Sequence, residues 1–420
     1  MSVASASSRT FRSLRRRNYR LYFIGQVISL TGTWMQNVAQ AWFVIQLTHS
    51  ALAVGLLAVC QFGPYGLFGL LGGTIADRLN QRRMLIGTQI AFLLSATSLA
   101  VLALTHHGAV WEVFLLAAVN GCVLVLDTPV RQSFTIQMVG RAELPNAIAL
   151  NSSLFNASRI VGPAVAGAVI AVAGVGLCFL FNAFSFLAVI AALLLMREAE
   201  LFPVGRDEIR RSVLRGAAEG LTYAWRSPPI RTVLLVMLAI STIGINFNVL
   251  LPVLTSRTLL AGPEVFGILS AVFGAGALCG ALISASLGRA SARVLLGGAV
   301  AFSIGELILA PLHTTWAVAV VLLVTGVAFS LYTSQSNAVL QLTVPDRLRG
   351  RILGLYGYVF FGTAPLGGLL AGWLAEVGGT QLAFLVAGIA GAAAAAYGAL
   401  AIHRRPGIAA AADVGGVMLA

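Results

Sequence analysis

Runs of about twenty mainly apolar residues, separated by short breaks rich in Arg, Gly and Pro, recur along the whole 420-residue chain. A helix needs roughly 20 such residues to cross the hydrocarbon of a bilayer. Backbone polar groups in lipid must be satisfied within the crossing segment itself, which leaves helices as the solution for runs of this length. The pattern predicts an all-α integral membrane protein with spans near residues 21–47, 52–75, 84–105, 110–133, 148–172, 175–196, 231–256, 264–287, 294–312, 315–338, 352–376 and 380–402. The first run follows a basic tail, but it is longer than a secretory signal core and no small-residue cleavage pattern follows, so it reads as a span.

Twelve spans put both termini on one side. All 27 basic residues are arginine, and 24 of them fall in the tails and breaks of that side. Arg257 falls on the other side, while Arg131 and Arg159 lie at or within the membrane. The positive-inside rule makes the arginine-rich side cytoplasmic, as expected for a multi-pass protein of a bacterial-type inner (plasma) membrane. The longest break separates six spans from six. The expected organisation is a basic cytoplasmic tail (1–20), a first six-helix bundle (21–196), a cytoplasmic linker (197–230), a second bundle (231–402) and a cytoplasmic C-tail (403–420). In the linker Ile209, Val213, Leu214, Ala217, Leu221 and Trp225 recur at helical spacing, which reads as an amphipathic surface helix or as a plain solvated connection. Asn120-Gly121 and Thr325-Gly326 occupy matching places in the two halves, as do Ala91-Phe92 and Ala301-Phe302. Two pseudo-symmetric six-helix bundles with a cavity between them near the midplane fit this weak repeat.

Several function classes are excluded. The chain has no lysine, so it carries neither a Walker-type phosphate loop nor a retinal Schiff base, and energy must come from a gradient or a partner. Cys60, Cys122, Cys178 and Cys279 lie far apart in apolar runs without metal or redox spacing, so no metal and no cofactor are expected. The net charge of +13 sits in breaks between spans and not on a soluble surface, which argues against nucleic acid. No cluster of His, Cys or paired carboxylates marks an enzyme.

Charges inside spans are the first candidates for function. Arg159 lies deep in the fifth span, where a charge costs at least ~2.5 kcal/mol unless it faces a cavity or a partner. It either attracts an anionic substrate, tunes a nearby carboxylate, or pairs with Asp127 and holds two helices together. Glu306 is the one carboxylate deep in a span; it is a proton-carrier candidate, with structural pairing or partial exposure as the simpler expectation. Asp127 is a third coupling candidate. In the first span Gln26, Ser29, Thr33, Gln36, Asn37 and Gln40 form a polar face. That face is expected to line the cavity, opposite Asn246, Asn248, Tyr332, Ser334, Gln335 and Asn337, with Trp34 and Phe247 as aromatic walls. The competing account is ordinary hydrogen bonding between helices.

The segment from Gly72 to Arg83, GGTIADRLNQRR, resembles the signature loop of the major facilitator superfamily, with Asn80 and Gln81 departing from its usual Gly and basic residue. The segments GTWMQNVAQAWFVIQLT from Gly32, DTPVRQSF from Asp127, NAIALNSSLFNASRIVGPAVAG from Asn146 and FNAFSFLAVIAAL from Phe181 add to the likeness. Together they resemble the branch of enterobactin-type siderophore exporters and macrolide efflux proteins, the transmembrane secretion effector type. The likeness is dense over residues 12–196 and thin beyond. It implies a proton-coupled exporter of siderophores, macrolides or other drug-like molecules working by alternating access, with substrate, protons and membrane lipid as partners, as a monomer. Asp77, Arg78, Arg82, Asp127 and Arg131 are then expected to lock the inner gate, with static topology and structural ion pairing as the alternative, and Gly162, Pro163 and Gly167 resemble the fifth-helix motif of exporters, with ordinary close packing as the alternative. The arginine that many drug–proton antiporters place in helix four has no counterpart, since Ala117 stands about there. A lipid or lysolipid flippase, or a non-transporting membrane receptor, is the alternative on the same scaffold.

Overall fold

The computed structural model describes residues 11–76, 80–105, 108–202, 213–287 and 290–403. The first half contains α1 (Arg17–Thr48), α2 (Ala51–Ala76), α3 (Gln81–Thr105), α4 (Val110–Val139), α5 (Leu144–Ala173) and α6 (Val175–Leu194). A surface helix, α7 (Val213–Arg226), precedes the second half, which begins with α8 (Pro228–Ala239) and α9 (Phe247–Val253). Then come α10 (Pro263–Ser286), α11 (Ala292–Leu309), α12 (Thr315–Thr343), α13 (Asp346–Gly362) and α14 (Ala364–His403).

Among the described residues ten segments are apolar and long enough to cross a bilayer, and two considerations raise that to twelve crossings. The segment Leu348–Ala401 has 54 residues, about 80 Å of helix at 1.5 Å per residue and so more than twice the hydrocarbon thickness. It folds back at Gly378–Gly379, where Gly379 takes φ 71°, a left-handed conformation that costs a glycine little. The other addition is α1, 32 residues long, whose Gln, Asn, Ser and Thr side chains lower its mean hydropathy. Crossing seven is a composite of α8, a π turn (Ile240–Gly244), α9 and a second π turn (Leu254–Thr258).

Within the first half α1 packs on α5 and α6, α2 on α4 and α3 on α6; within the second α10 and α11 pack on α12, and α11 on α14. Lipid removes most of the hydrophobic drive between helices, so close approach through small residues must supply the attraction. Gly32 faces Asn182 and Ser185 of α6, and Gly276, Gly280 and Gly326 make the α10–α12 crossing.

The bundles meet most extensively at two helix pairs, α5 with α10 and α2 with α14. Both crossings are backbone against backbone. A Cβ on Gly267 would stand 2.6 Å from the Pro163 carbonyl oxygen and 2.7 Å from the Gly167 Cα, and one on Gly55 2.6 Å from the Gly368 carbonyl oxygen.

The face carrying both termini is tied by polar contacts. Ser13 donates its backbone N–H to Asn146 Oδ1 at 2.9 Å, the Asn18 amide donates to the Arg197 carbonyl at 2.9 Å, and Arg351 pairs with Glu219 of α7. Leu221 and Trp225 of α7 are exposed, while Ile209 of the expected amphipathic stripe lies outside the described residues. At the far face Arg257 donates to the His49 carbonyl and lies 3.4 Å from Glu376, so the second bundle reaches the α1–α2 connection there.

Candidate functional site

Asp127 lies on the buried face of α4. Its carboxylate accepts from Thr88 Oγ1 at 2.7 Å and Gln89 Nε2 at 2.9 Å. It also accepts from Arg131 Nε at 3.0 Å and Nη2 at 2.6 Å. Arg131 donates further to Gln26 of α1. The i,i+4 spacing of Asp127 and Arg131 is thus a true side-chain pair, and it ties α1, α3 and α4 of one bundle. Arg82 likewise stays within its bundle, donating to the Leu193 carbonyl at 2.8 Å and the Leu194 carbonyl at 3.1 Å and pairing with Glu198. Among the described residues the partners of the expected gate residues Arg82, Asp127 and Arg131 all lie between Gln26 and Glu198, so in this conformation the three form structural ion pairs and hydrogen bonds on the first-half side. Asp77 and Arg78, the remainder of that set, lie outside the described residues.

Arg159 does not pair with Asp127, whose acceptor sites Arg131, Thr88 and Gln89 already occupy. Its guanidinium stands over three rings instead: 5.9 Å from the centroid of Trp34 in α1, 5.4 Å from Phe273 in α10 and 5.1 Å from Phe329 in α12. Those rings come from both bundles. Cation–π attraction of this kind holds a cation by its faces and leaves its in-plane N–H donors to other acceptors. Among the described residues no carboxylate is paired with Arg159. Behind it the phenylalanines continue as one cluster, with Phe247 stacked on Phe273 at 4.6 Å and Phe302 5.9 Å from Phe247 and 6.0 Å from Phe329.

The polar face of α1 divides. Gln36 accepts from Asn182 at 2.7 Å. Gln40 accepts from Gln61 at 3.2 Å and donates to the Val113 carbonyl at 3.5 Å. Both are buried inside the first bundle, where neighbouring helices take their hydrogen bonds, as in the competing account of ordinary bonding between helices. Asn37, one residue round the helix, is exposed. In the second half Asn248 is exposed and Asn337 half-buried, whereas Asn246 folds back on the carbonyls of Thr242 and Ile243 at 3.0 and 3.1 Å. Gln335 accepts from the Ser291 N–H at 2.8 Å and donates to Ser284 at 2.9 Å, and Tyr332 is buried. A cavity of about 450 Å³ between α10 and α12 is lined by Ser284, Ser334, Gln335 and Gln341. Glu306 is neither paired nor partly exposed, contrary to the simpler expectation: it is fully buried with both oxygens unpartnered.

Gly162, Pro163 and Gly167 lie where α5 meets its neighbours. A Cβ on Gly162 would strike the Trp34 side chain, while Pro163 and Gly167 form the crossing with Gly267 of α10. The motif therefore places α5 against both bundles and sets Trp34 beside Arg159. Reading along the sequence missed Phe273 and Phe329, which have no local polar signal, and Glu376, which meets two backbone N–H groups as well as Ser50 and Arg257.

Comparison with known proteins agrees with this architecture. A family model described as transmembrane secretion effector matches residues 8–412. The multidrug efflux pump Tap of Mycolicibacterium fortuitum is 29% identical, over 84% of this chain and 88% of its own length. The staphyloferrin A transporter of Staphylococcus aureus is 26% identical, over 88% of this chain and 92% of its own length. Macrolide efflux protein A of Streptococcus pyogenes is 23% identical, over 88% and 93%. Among solved structures, a bacterial homologue of the human lysosomal transporter Spinster, inward-facing and unoccupied, superposes with a TM-score of 0.74 at 15% identity, covering 93% of this chain and 98% of that one.

Proposed function

The chain belongs to the transmembrane secretion effector family of the major facilitator superfamily and is a membrane transporter, and we propose that it exports amphipathic small organic molecules, siderophore-like or drug-like, by alternating access. In this reading both termini are cytoplasmic, the far face is extracellular, and the gradient that drives export is of protons. The Gly-lined crossings are the contacts about which the bundles rock.

One observation carries the reading: Arg159, a cation at the junction of the two bundles, is held by rings from both and has no carboxylate partner among the described residues. A desolvated guanidinium favours a ligand that brings an anionic or acceptor-rich group, and the rings suit an apolar body. The efflux and staphyloferrin A transport named for the relatives support the substrate class.

The test is dye and drug efflux from a bacterium lacking its own exporters, comparing fluorescein, an amphipathic carboxylate, with rhodamine 6G, a cation of similar ring system. Expression should lower fluorescein accumulation. Arg159→Ala, at equal membrane abundance, should weaken fluorescein handling about 10–100-fold, the loss expected for a charge-assisted hydrogen bond of ~1.5–3 kcal/mol, and affect rhodamine 6G far less. Unchanged accumulation of fluorescein, erythromycin and carboxylate siderophores on expression of the wild-type protein would refute the proposal.

A further inference from the structure

Glu306 of α11 lies inside the second bundle, and export as described leaves it unused. It is fully buried, and neither carboxylate oxygen has a hydrogen-bond partner. An isolated anion in such a place costs several kcal/mol, whereas a neutral carboxylic acid of the same shape is tolerated far better. Its neighbour is the weak point of crossing seven. A Cβ on Gly244 would lie 3.2 Å from Glu306 Oε2, 3.4 Å from Oε1 and 3.1 Å from the Phe302 ring. Gly244 ends the π turn Ile240–Gly244, and Ile245 (φ −82°, ψ 55°) and Asn246 (φ −115°, ψ 30°) then leave helical geometry before α9 begins. π turns of this kind often mark functional sites in helices, and a larger residue than glycine would close the gap over the carboxyl group.

Among the described residues its surroundings hold no counter-charge. Crossing seven carries no charged residue between Arg231 and Arg257, and α12 carries none, its titratable side chain being Tyr332. The part of α14 that packs on α11 offers Tyr397, 43% exposed, and terminal His403. Arg159 stands over Phe329, whose ring centroid lies 6.0 Å from that of Phe302, and Phe302 lies one helical turn from Glu306. The phenylalanine cluster thus runs from the arginine toward the helix turn that carries the carboxyl group.

Resting on the export reading above, we infer that Glu306 is the proton-binding residue of this transporter. It is neutral in the conformation seen here, and rearrangement of crossing seven at Gly244 opens it to water. One proton is taken up on one side of the membrane and the same proton is released on the other, while the phenylalanine cluster transmits the change to Arg159.

Two measurements on the full-length protein test this. In lipid nanodiscs at neutral pH, infrared difference spectra on H/D exchange should show a protonated-carboxyl C=O band that is absent in Glu306→Gln; a wild type without the band, or a variant that keeps it, overturns the assignment. In proteoliposomes with fluorescein as probe, Glu306→Gln should lose at least about tenfold of the accumulation driven by a pH gradient yet retain exchange of internal for external dye. Glu306→Asp should keep coupling with a displaced pH profile. Gradient-driven accumulation that survives in Glu306→Gln overturns the inference, as does loss of exchange along with it in a variant of unchanged thermal midpoint. If the wild type moves no fluorescein, the export reading has failed separately, and the infrared result still decides the protonation of Glu306.

Discussion

Glu376 of α14 accepts the backbone N–H of Ala51 at 2.6 Å, so a carboxylate from the second bundle caps the first turn of α2 in the first. The Leu52 N–H at 3.3 Å and Ser50 Oγ at 3.2 Å add to the same oxygen, and Arg257 holds the other at 3.4 Å. The first N–H groups of a helix have no partners within it and carry its positive dipole end, so this carboxylate satisfies a need that only a group from outside the helix can meet.

Removing that cap should loosen the far face. The side chain is 37% exposed, so solvent screening limits its worth to about 1 kcal/mol, roughly a fivefold shift in a two-state equilibrium. Spin labels at Thr48 and Leu260, in a background without native cysteines, should show a longer-distance population that grows by that factor in Glu376→Ala. Arg257→Ala should act in the same direction, with the double variant less than additive. Identical distance distributions in all four proteins would remove the latch.

Asp127→Ala should destabilise the first bundle by about 3 kcal/mol, because it leaves the Arg131 guanidinium without its carboxylate in a mostly buried network. Asp127→Asn should lose less. Thermal unfolding in detergent reads this directly. A variant that keeps its melting temperature but loses transport would instead place Asp127 in the transport cycle.

At the α5–α10 crossing, Gly167→Val should abolish most transport while the protein still reaches the membrane, since even a Cβ there would come within 2.9 Å of the Gly267 Cα. Gly297→Ala is the control, as nothing lies within 4 Å of its added carbon. Efflux at matched abundance separates the two; equal activity in both would mean the crossing tolerates separation.

Trp34→Leu and Phe329→Leu should each raise the KM for fluorescein about 3–30-fold, the range for one desolvated cation–π contact, with kcat changing less. In an Arg159→Ala background the same substitutions should matter little. Equal effects with and without the arginine would show that the rings serve only as apolar wall.

The crossings were legible in the sequence because long apolar runs interrupted by arginine suit membrane-spanning helices and little else. α1 was found despite its lower hydropathy, since its apolar stretch is longer than a secretory signal core and no cleavage pattern follows it. Arg159 stood out as a charge in an apolar run, and Asp127 with Arg131 as an i,i+4 pair. Position alone did not reveal partners. Gln36 and Gln40 look like neighbours of Asn37 on one polar stripe, yet the rotation of α1 turns them toward Asn182 and Gln61 and leaves Asn37 outward. Phe273 and Phe329 come to Arg159 from more than a hundred residues away, and the backbone groups that meet Glu376 are the same whatever the residues. Glu306 was visible as a carboxylate in a span, but its isolation depends on what three other helices do not present to it.

The contacts between the bundles at Gly167–Gly267 and Gly55–Gly368 use main chain alone, whereas the groups that would meet a passenger molecule are side chains elsewhere. In the proposed export cycle, pivot and selectivity are therefore separable heritable traits. Exchanges at Trp34, Asn37 or Asn248 would there retune which compounds are handled without disturbing the proposed bearing, and a lineage under a new toxin would need to alter only the lining.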